Sequence, residues 1–283
     1  MLAYRHAFHA GNHADVLKHV VLVQVLRRMA DKPKPFTLVD THAGAGGYSL
    51  ESDYARKKGE YTTGIARLWD APGLPPPLAD YVALVRDFNG GGPLLQYPGS
   101  PALAARLLRP QDRLRLYELH PTDHRIVAAY LGQRPHTEVV MGDGFAALAR
   151  ELPPPSRRGV VLIDPSYELK SDYTKVVAAL REALRRFATG TVIVWHPQLA
   201  LVEAAQLPRR LEAAAQAAPK GWLHAVLHVC PPGDGGFGMT GSGVFVANPP
   251  WTLHEALQQS LPVLVRHLGR YPGARHALAQ HTP

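Results

Sequence analysis

Residues 36–47 read Phe36-Thr-Leu-Val-Asp40-Thr-His-Ala-Gly-Ala-Gly-Gly47, and this stretch decides the fold. Its first half is a short apolar run of the kind that forms a buried strand, and the run ends in an acid. The glycines that follow let the backbone turn tightly and approach a ligand without interference from a Cβ atom. Their spacing departs from the Gly-X-Gly-X-X-Gly pattern, so by itself the stretch also fits an ordinary strand-to-helix turn.

Further runs of the same kind follow along the chain and alternate with helical patterns. The apolar runs lie at 114–119, 138–141, 160–164 and 191–195, and the helical patterns at 121–131, 144–151, 171–187 and 202–218. This alternation predicts an α/β fold with a mostly parallel, doubly wound sheet. Two more runs, 222–229 and 244–247, flank a glycine-rich stretch and predict an antiparallel pair at the sheet edge. The predicted sheet therefore has seven strands.

The segment 50–99 breaks this rhythm. It holds helical patterns at about 61–70 and 78–88 and no convincing strand. We interpret it as a small helical insertion subdomain, so that 1–49 and 100–283 form the main domain. Before the first strand, residues 13–30 predict an amphipathic helix with Asn12 as its N-cap and Asp15 placed to favour the positive end of the helix dipole. Disorder is expected only in the last dozen residues.

The composition is that of an ordinary globular protein, with 46% hydrophobic and 19% charged residues. The net charge of +8 favours a polyanionic partner, although a basic balance also occurs without any such role. The single cysteine, Cys230, excludes an intrachain disulfide and a cysteine-based zinc site. We see no signal-peptide pattern, no apolar run that could span a bilayer and no evident interface segment, and we expect a cytoplasmic monomer.

Acidic side chains follow the ends of several predicted strands, where open α/β sheets bind ligands. Glu118 ends the second strand, and a carboxylate there can accept hydrogen bonds from both hydroxyls of a ribose. Asp143 and the amide of Gly144 end the third, where they could bracket an adenine ring. Each of them alone also fits a plain polar strand end, but together with Asp40 they indicate a nucleoside-binding edge.

The sharpest motif is Asp164-Pro165-Ser166-Tyr167, directly after an apolar run. It resembles the Asp-Pro-Pro-Tyr signature of amino methyltransferases, which act on adenine N6, cytosine N4 or a glutamine amide. An amine conjugated to a ring is a poor nucleophile, because its lone pair is delocalised. The Asp164 carboxylate and the Pro165 carbonyl can accept hydrogen bonds from that amine and direct its lone pair towards the methyl group. Tyr167 could stack on the base, although a plain loop is also consistent with the motif.

Several other stretches look like the RlmJ family of bacterial adenine-N6 methyltransferases, which act on 23S ribosomal RNA. The matching stretches are Tyr4-Arg-His6, His9 to His19, Asp40 to Gly46, Tyr97-Pro-Gly-Ser-Pro101, Glu118-Leu-His-Pro121, Asp143-Gly144 and Met239-Thr-Gly-Ser242. They occur in order over essentially the whole chain.

The resemblance implies a Rossmann-like fold that binds S-adenosyl-L-methionine, with a helical insertion after the glycine loop, and 23S ribosomal RNA as partner. It implies no metal and Asp164 as the catalytic residue. The cofactor site would comprise His19, His42, Ser100, Glu118, Asp143, Gly144 and Asp164, while Tyr4, His6, Lys18 and Tyr167 would face the RNA. One departure is Ser166, because the family usually has a second proline there, and its loss makes the loop less stiff.

Three alternatives remain open at this point. The histidines of the N-terminal block suggest a metallohydrolase, but Gly11 and Asn12 indicate a helix start between His9 and His13, and no carboxylate pair completes a site. An RNA-binding protein whose methyltransferase site has decayed would explain Ser166. A DNA adenine-N6 methyltransferase would share the charge and the motif, and only the family resemblance separates it from an RNA enzyme.

Overall fold

The computed structural model describes residues 6–231, 233 and 238–283, apart from the side chains of Arg56 and Lys58. The α-helices within these residues are α1 His13–Ala30, α2 Asp53–Lys58, α3 Ala66–Trp69, α4 Pro76–Phe88, α5 Ser100–Leu107, α6 Pro121–Leu131, α7 Gly144–Glu151, α8 Lys170–Arg186, α9 Val202–Ala214 and α10 Leu253–Leu268. The strands are β1 Thr37–Asp40, β2 Gly47–Ser49, β3 Gln96–Pro98, β4 Arg113–Glu118, β5 Thr137–Met141, β6 Gly159–Ile163, β7 Thr191–Gln198, β8 Trp222–His228, β9 Gly241–Ala247 and β10 Arg275–His281. Helices and strands therefore alternate as predicted through most of the chain.

The main sheet has the strand order β10-β8-β9-β7-β6-β1-β4-β5. The five strands from β7 to β5 are parallel, while β9 and β8 run antiparallel to their neighbours and β10 pairs antiparallel with β8. The α/β prediction is confirmed, but the number of seven strands is wrong. The eighth strand, Arg275–His281, lies where disorder was expected and takes the sheet edge that the sequence assigned to β8 and β9.

Helix α1 begins at His13 and ends at Ala30, as predicted. Its N-cap is Asn12, whose Oδ1 accepts from the amides of Ala14 and Asp15 at 2.9 and 3.0 Å. A side-chain oxygen here satisfies amides that have no partner inside the helix. Because Val16 to Val23 are all buried, this helix lies in the core rather than on the surface.

The C-terminal end of α1 and the loop after it are held from outside by two arginines. Arg109 donates to the carbonyl oxygens of Ala30 and Lys32, at 2.9 and 2.7 Å, and Arg158 donates to that of Met29 at 2.7 Å. These bonds satisfy carbonyls that the helix leaves without partners at its end. We call Arg109 and Arg158 the arginine clamp, and it fixes where α1 ends.

The segment 50–99 contains α3 and α4 at the two predicted helical patterns, but also helix α2 and a strand, neither of which the sequence predicted. The strand β3 pairs antiparallel with β2, so that a two-stranded ribbon brackets the segment. Buried side chains of α4, among them Tyr81 and Val85, belong to the same apolar cluster as those of α1 and α10. The division into 1–49 with 100–283 and an insertion at 50–99 stays a proposal, and its helices share the main core. None of the described helices combines the length and apolar character that crossing a membrane requires.

Candidate active site

A cavity of about 390 Å³ opens at the carboxyl ends of the parallel strands. This size falls within the range of small-molecule and cofactor sites. Of the residues predicted for the site, the cavity is lined by His6, Lys18, His19, His42, Ser100, Glu118, Asp143, Gly144 and Asp164. Tyr4 lies outside the described residues, and Tyr167 does not line the cavity.

Glu118 holds the glycine loop as well as facing the cavity. Its Oε2 accepts from the amide of Gly44 at 2.7 Å, and its Oε1 accepts from the amide of His120 at 2.7 Å. Gly44 has φ +61°, and a Cβ there would lie 2.3 Å from the hydroxyl of Tyr48, so the loop requires glycine. Burial raises the pKa of Glu118, although the two amide donors oppose that shift. Each carboxylate oxygen keeps a lone pair for a ligand hydroxyl.

Asp40 and Ser100 form a buried pair beneath the cavity. Asp40 is fully buried; its Oδ2 accepts from the Ser100 hydroxyl at 2.7 Å and its Oδ1 from the amide of His42 at 3.2 Å. Burial raises the pKa of Asp40 to about 6 despite these donors. Burial also lowers the pKa of His42 to about 4, so this ring faces the cavity as a neutral imidazole near pH 7.

Asp143 and Gly144 begin α7 at the next strand end. Oδ1 of Asp143 accepts from the amide of Phe145 at 2.8 Å, while its Oδ2 makes no hydrogen bond within the described chain. A Cβ on Gly144 would lie 2.0 Å from the carbonyl oxygen of Thr41, so only glycine fits between α7 and β1. The exposed carboxylate oxygen therefore remains available to a ligand.

His19 contributes a polar atom that lacks a partner. Its Nδ1 lies 2.7 Å from the hydroxyl of Tyr97, which in turn lies 2.8 Å from that of Tyr81. Burial lowers the pKa of His19 well below its ordinary value, so the ring is neutral. Its Nε2 is buried with no hydrogen-bond partner among the described residues. Because buried polar atoms are normally satisfied, this atom fits a site that receives a polar ligand.

Asp164 directly follows β6 and lies in a chain of charged side chains. Its Oδ2 accepts from Nζ of Lys18 at 2.6 Å, and the same Nζ lies 2.8 Å from Oδ1 of Asp15. Oδ2 of Asp15 accepts from the amide of Gly11 at 2.9 Å and lies 2.8 Å from Nε2 of His6. Burial opposes the charge of Lys18, but the two carboxylates outweigh it and raise its pKa well above the ordinary value. Oδ1 of Asp164 makes no hydrogen bond to any described residue, so it is free to accept one from a substrate.

The position of Tyr167 differs from the stacking position predicted for it. Its φ of +55° turns the side chain inwards, and only 6% of the residue is exposed. The hydroxyl donates to the carbonyl oxygen of Trp195 at 2.6 Å, and the ring packs against Tyr173 and Trp195 at 4.8 and 5.8 Å. Pro165, Ser166 and Leu169 are the residues by which this loop lines the cavity.

Three histidines of the N-terminal block contact acids or a tyrosine. His6 pairs with Asp15 at 2.8 Å, His9 with Glu60 at 3.0 Å, and His19 with Tyr97. Within residues 6–231, 233 and 238–283, no group of three or more histidine, cysteine or acidic side chains is arranged to hold a metal ion.

Comparison with known proteins adds an independent line of evidence. The family described as "RsmJ: Ribosomal RNA large subunit methyltransferase D, RlmJ" matches residues 33–278. The ribosomal RNA large subunit methyltransferase J of Escherichia coli K12 is 46% identical over 264 residues, covering 93% of each chain. Its namesake in Haemophilus influenzae is 46% identical over 269 residues, covering 95% of this chain and 94% of the relative.

A solved structure agrees with these sequence matches. A crystal structure of a protein from Legionella pneumophila is 34% identical, superposes with a TM-score of 0.86, and covers 97% of this chain and 98% of its own. The similarity therefore extends over nearly the whole chain and includes the glycine loop. The chain belongs to the RlmJ family of ribosomal RNA large subunit methyltransferases.

Proposed function

We propose that the protein transfers a methyl group from S-adenosylmethionine to N6 of an adenosine in 23S ribosomal RNA. The observation that carries this proposal is the arrangement at Asp164, where Lys18 occupies one carboxylate oxygen and leaves the other free beside Pro165 in the cavity. Both curated relatives are named for methylation of large-subunit ribosomal RNA, which supports the choice of RNA over DNA.

The polar groups of the cavity fit S-adenosylmethionine. Glu118 would accept from its ribose hydroxyls, and Asp143 with the amide of Gly144 would flank its adenine. The unpartnered Nε2 of His19 offers a further polar contact. When bound here, the cofactor supplies an electrophilic methyl group. Because burial lowers the pKa of His42 to about 4, its ring is neutral near pH 7 and adds no charge to the cavity.

Asp164 acts on the target amine through hydrogen bonding. Its free Oδ1 and the carbonyl oxygen of Pro165 accept the two N–H bonds of the exocyclic amine, which aims the lone pair out of the ring plane. A carboxylate is far too weak a base to deprotonate an aryl amine before it attacks. The proton therefore leaves after methyl transfer has made the nitrogen cationic, and Asp164 is the group placed to receive it. Lys18 keeps the carboxylate fixed during these steps.

Of the four residues predicted to face the RNA, three keep their proposed role and Tyr167 takes a different one. Tyr4 remains the residue proposed to meet the target base, and His6 and Lys18 line the cavity. Tyr167 supports the loop from beneath, because its ring is buried and its hydroxyl bonds the backbone of the neighbouring strand. The enzyme is proposed to work in the cytoplasm as a monomer.

The test is transfer of labelled methyl groups to naked 23S ribosomal RNA, assembled large subunits, 16S ribosomal RNA and duplex DNA in parallel. Digestion to nucleosides should show N6-methyladenosine from 23S RNA, presented free or in the subunit, and none from the other two. Methylation of duplex DNA alone would show that the substrate is DNA and not ribosomal RNA. Binding of 23S RNA without transfer to any nucleic acid would show a decayed site.

A further inference from the structure

Asp15 lies on the face of α1 that the site uses. In a helix, residues three and four apart share a face, so Asp15, Lys18 and His19 project together from the first turns of α1. Asp15 is 1% exposed, and both of its oxygens accept hydrogen bonds: Oδ1 from Lys18, and Oδ2 from His6 and the amide of Gly11. It therefore joins the segment before the helix to the ammonium that holds Asp164.

Lys18 needs this second carboxylate to occupy a single position. A lysine has a flexible four-carbon stem and an ammonium that can donate in three directions. With Asp164 as its only partner, Nζ could swing around that carboxylate and reach either oxygen. With Asp15 at 2.8 Å and Asp164 at 2.6 Å, Nζ is fixed between the two acids, and Oδ1 of Asp164 stays open to the substrate amine.

The same carboxylate also fixes the segment that precedes α1. A carboxylate can only accept, so the Nε2 of His6 must be the donor in their 2.8 Å contact. Gly11 has φ +77°, and its amide points to the same oxygen at 2.9 Å. His6 is thereby held at the cavity wall.

We infer that Asp15 is a positioning residue for methyl transfer, which acts by setting the Lys18 ammonium against Asp164. This role rests on the proposed function. The competing explanation is a purely structural one, in which Asp15 only stabilises the start of α1 through the helix dipole. A structural role predicts lost stability with an unchanged rate per folded molecule.

The first experiment compares Asp15→Asn with Glu151→Gln in single-turnover assays on 23S RNA. Glu151 is a matched control, since it is also a largely buried acid that bridges partners, namely Tyr117, Arg115 and Arg150, and it lies away from the cavity. Asp15→Asn should lower the rate constant about tenfold to hundredfold, the usual effect of losing a hydrogen bond to a charged group. Its affinity for S-adenosylhomocysteine should stay within about twofold of wild type, since Asp15 lies outside the cofactor set. Glu151→Gln should lower thermal stability and leave the rate within about twofold.

A second variant keeps the test decisive if Asp15→Asn fails to fold. Lys18→Met removes the cation, and adding Asp15→Asn to it then removes a buried charge that has lost its lysine partner, which should lessen the loss of stability. If Asp15 acts through Lys18, the double variant should transfer methyl groups within about threefold of the rate of Lys18→Met alone. A further fall of tenfold or more, or a wild-type rate in folded Asp15→Asn, would overturn the inference. A wild-type enzyme that methylates none of the RNAs would instead overturn the proposed function.

Discussion

Lys18 holds only one oxygen of Asp164, with Nζ 2.6 Å from Oδ2. Replacing Asp164 by alanine removes both acceptors, and the rate should fall by about 10²–10³, the usual penalty for losing a polar contact to the transition state. The rate of Asp164→Asn should be little higher than that of Asp164→Ala. The amide oxygen of asparagine is the better partner for the ammonium, so its NH₂ group would face the substrate amine, donor against donor.

Combining Asp164→Asn with Lys18→Met separates the loss of the carboxylate from the unfavourable orientation of the amide. Without the ammonium, the amide can turn its oxygen to the substrate, so the double variant should exceed Asp164→Asn in single-turnover rate. Cofactor affinity, measured by calorimetry, serves as the control for folding and binding. A double variant no faster than Asp164→Asn would mean that the carboxylate does more than accept a hydrogen bond.

Glu118 offers a test of the cofactor site that does not depend on RNA. Glu118→Ala removes the proposed ribose contact and also releases the amides of Gly44 and His120. Affinity for S-adenosylhomocysteine should fall by about 1–3 kcal/mol in calorimetry. Glu138→Ala is the control, because Glu138 lies on the neighbouring strand, pairs with Arg115 and does not line the cavity. Equal affinities in the two variants would remove Glu118 from the cofactor site.

At this scale the sequence indicated the strand-end acids but not the whole arrangement of side chains. Glu118 and Asp143 could be found because each follows an apolar run. Asp15 was missed because an acid in the first turn of a helix has a sufficient local explanation, and only the fold brings Asp164 next to Lys18. The inward orientation of Tyr167 depends on a positive φ, which cannot be predicted from the residue type at that position.

Among the elements, the loop between β6 and α8 carries the departure from the family motif. The amide of Ser166 makes no hydrogen bond within the described chain, so a proline there would forfeit none. Ser166→Pro should retain transfer activity and raise stability by about 0.4–1 kcal/mol, because it restricts the unfolded chain. Ser166→Ala is the control, since it removes the hydroxyl without restricting φ. Loss of folding or of turnover in the proline variant alone would show that the backbone here differs from a Pro-Pro loop.

Elements with a strong apolar signal were predicted well, and those without one were missed. The bounds of α1, α6 and α7 match their predictions, because each has a clear cap or an apolar face. The strand β10 was missed because six of its seven residues are exposed, and it is held by main-chain pairing with β8 instead of by burial. The ribbon of β2 and β3 was missed because three-residue strands are too short to show a periodic pattern.

Across the whole molecule, buried histidines couple stability to pH. Burial lowers the pKa of His13, His42 and His224 to about 4 and that of His196 to about 3. The unfolded chain binds protons at these sites below about pH 6.5, whereas the folded chain does not. The free energy of unfolding should therefore decrease as the pH falls from 6.5 to 4, by up to about 3 kcal/mol for each histidine. Asp40, with its pKa raised to about 6, acts in the opposite direction over the same window.

Urea unfolding at pH 7.5 and pH 5 measures this dependence. The midpoint should be clearly lower at pH 5, and His224→Gln should reduce the difference. His276→Gln is the control, because His276 is exposed on the edge strand and should leave the difference unchanged. Identical midpoints at the two pH values would contradict the assignment of these histidines as neutral in the folded protein.

The arginine clamp holds α1 at the end of the helix that lies far from the active site, so a small rotation there displaces Lys18. Lys18 is twelve residues before Ala30, so its Cα is about 18 Å along the helix axis from the clamped end. A pivot of the helix by about 5° at Arg109 and Arg158 would move the Cα of Lys18 by about 1.5 Å, more than the 2.6 Å contact with Asp164 could absorb. Substitutions of Arg109 or Arg158 during evolution can thus change the rate of methyl transfer while every residue around the cavity stays the same.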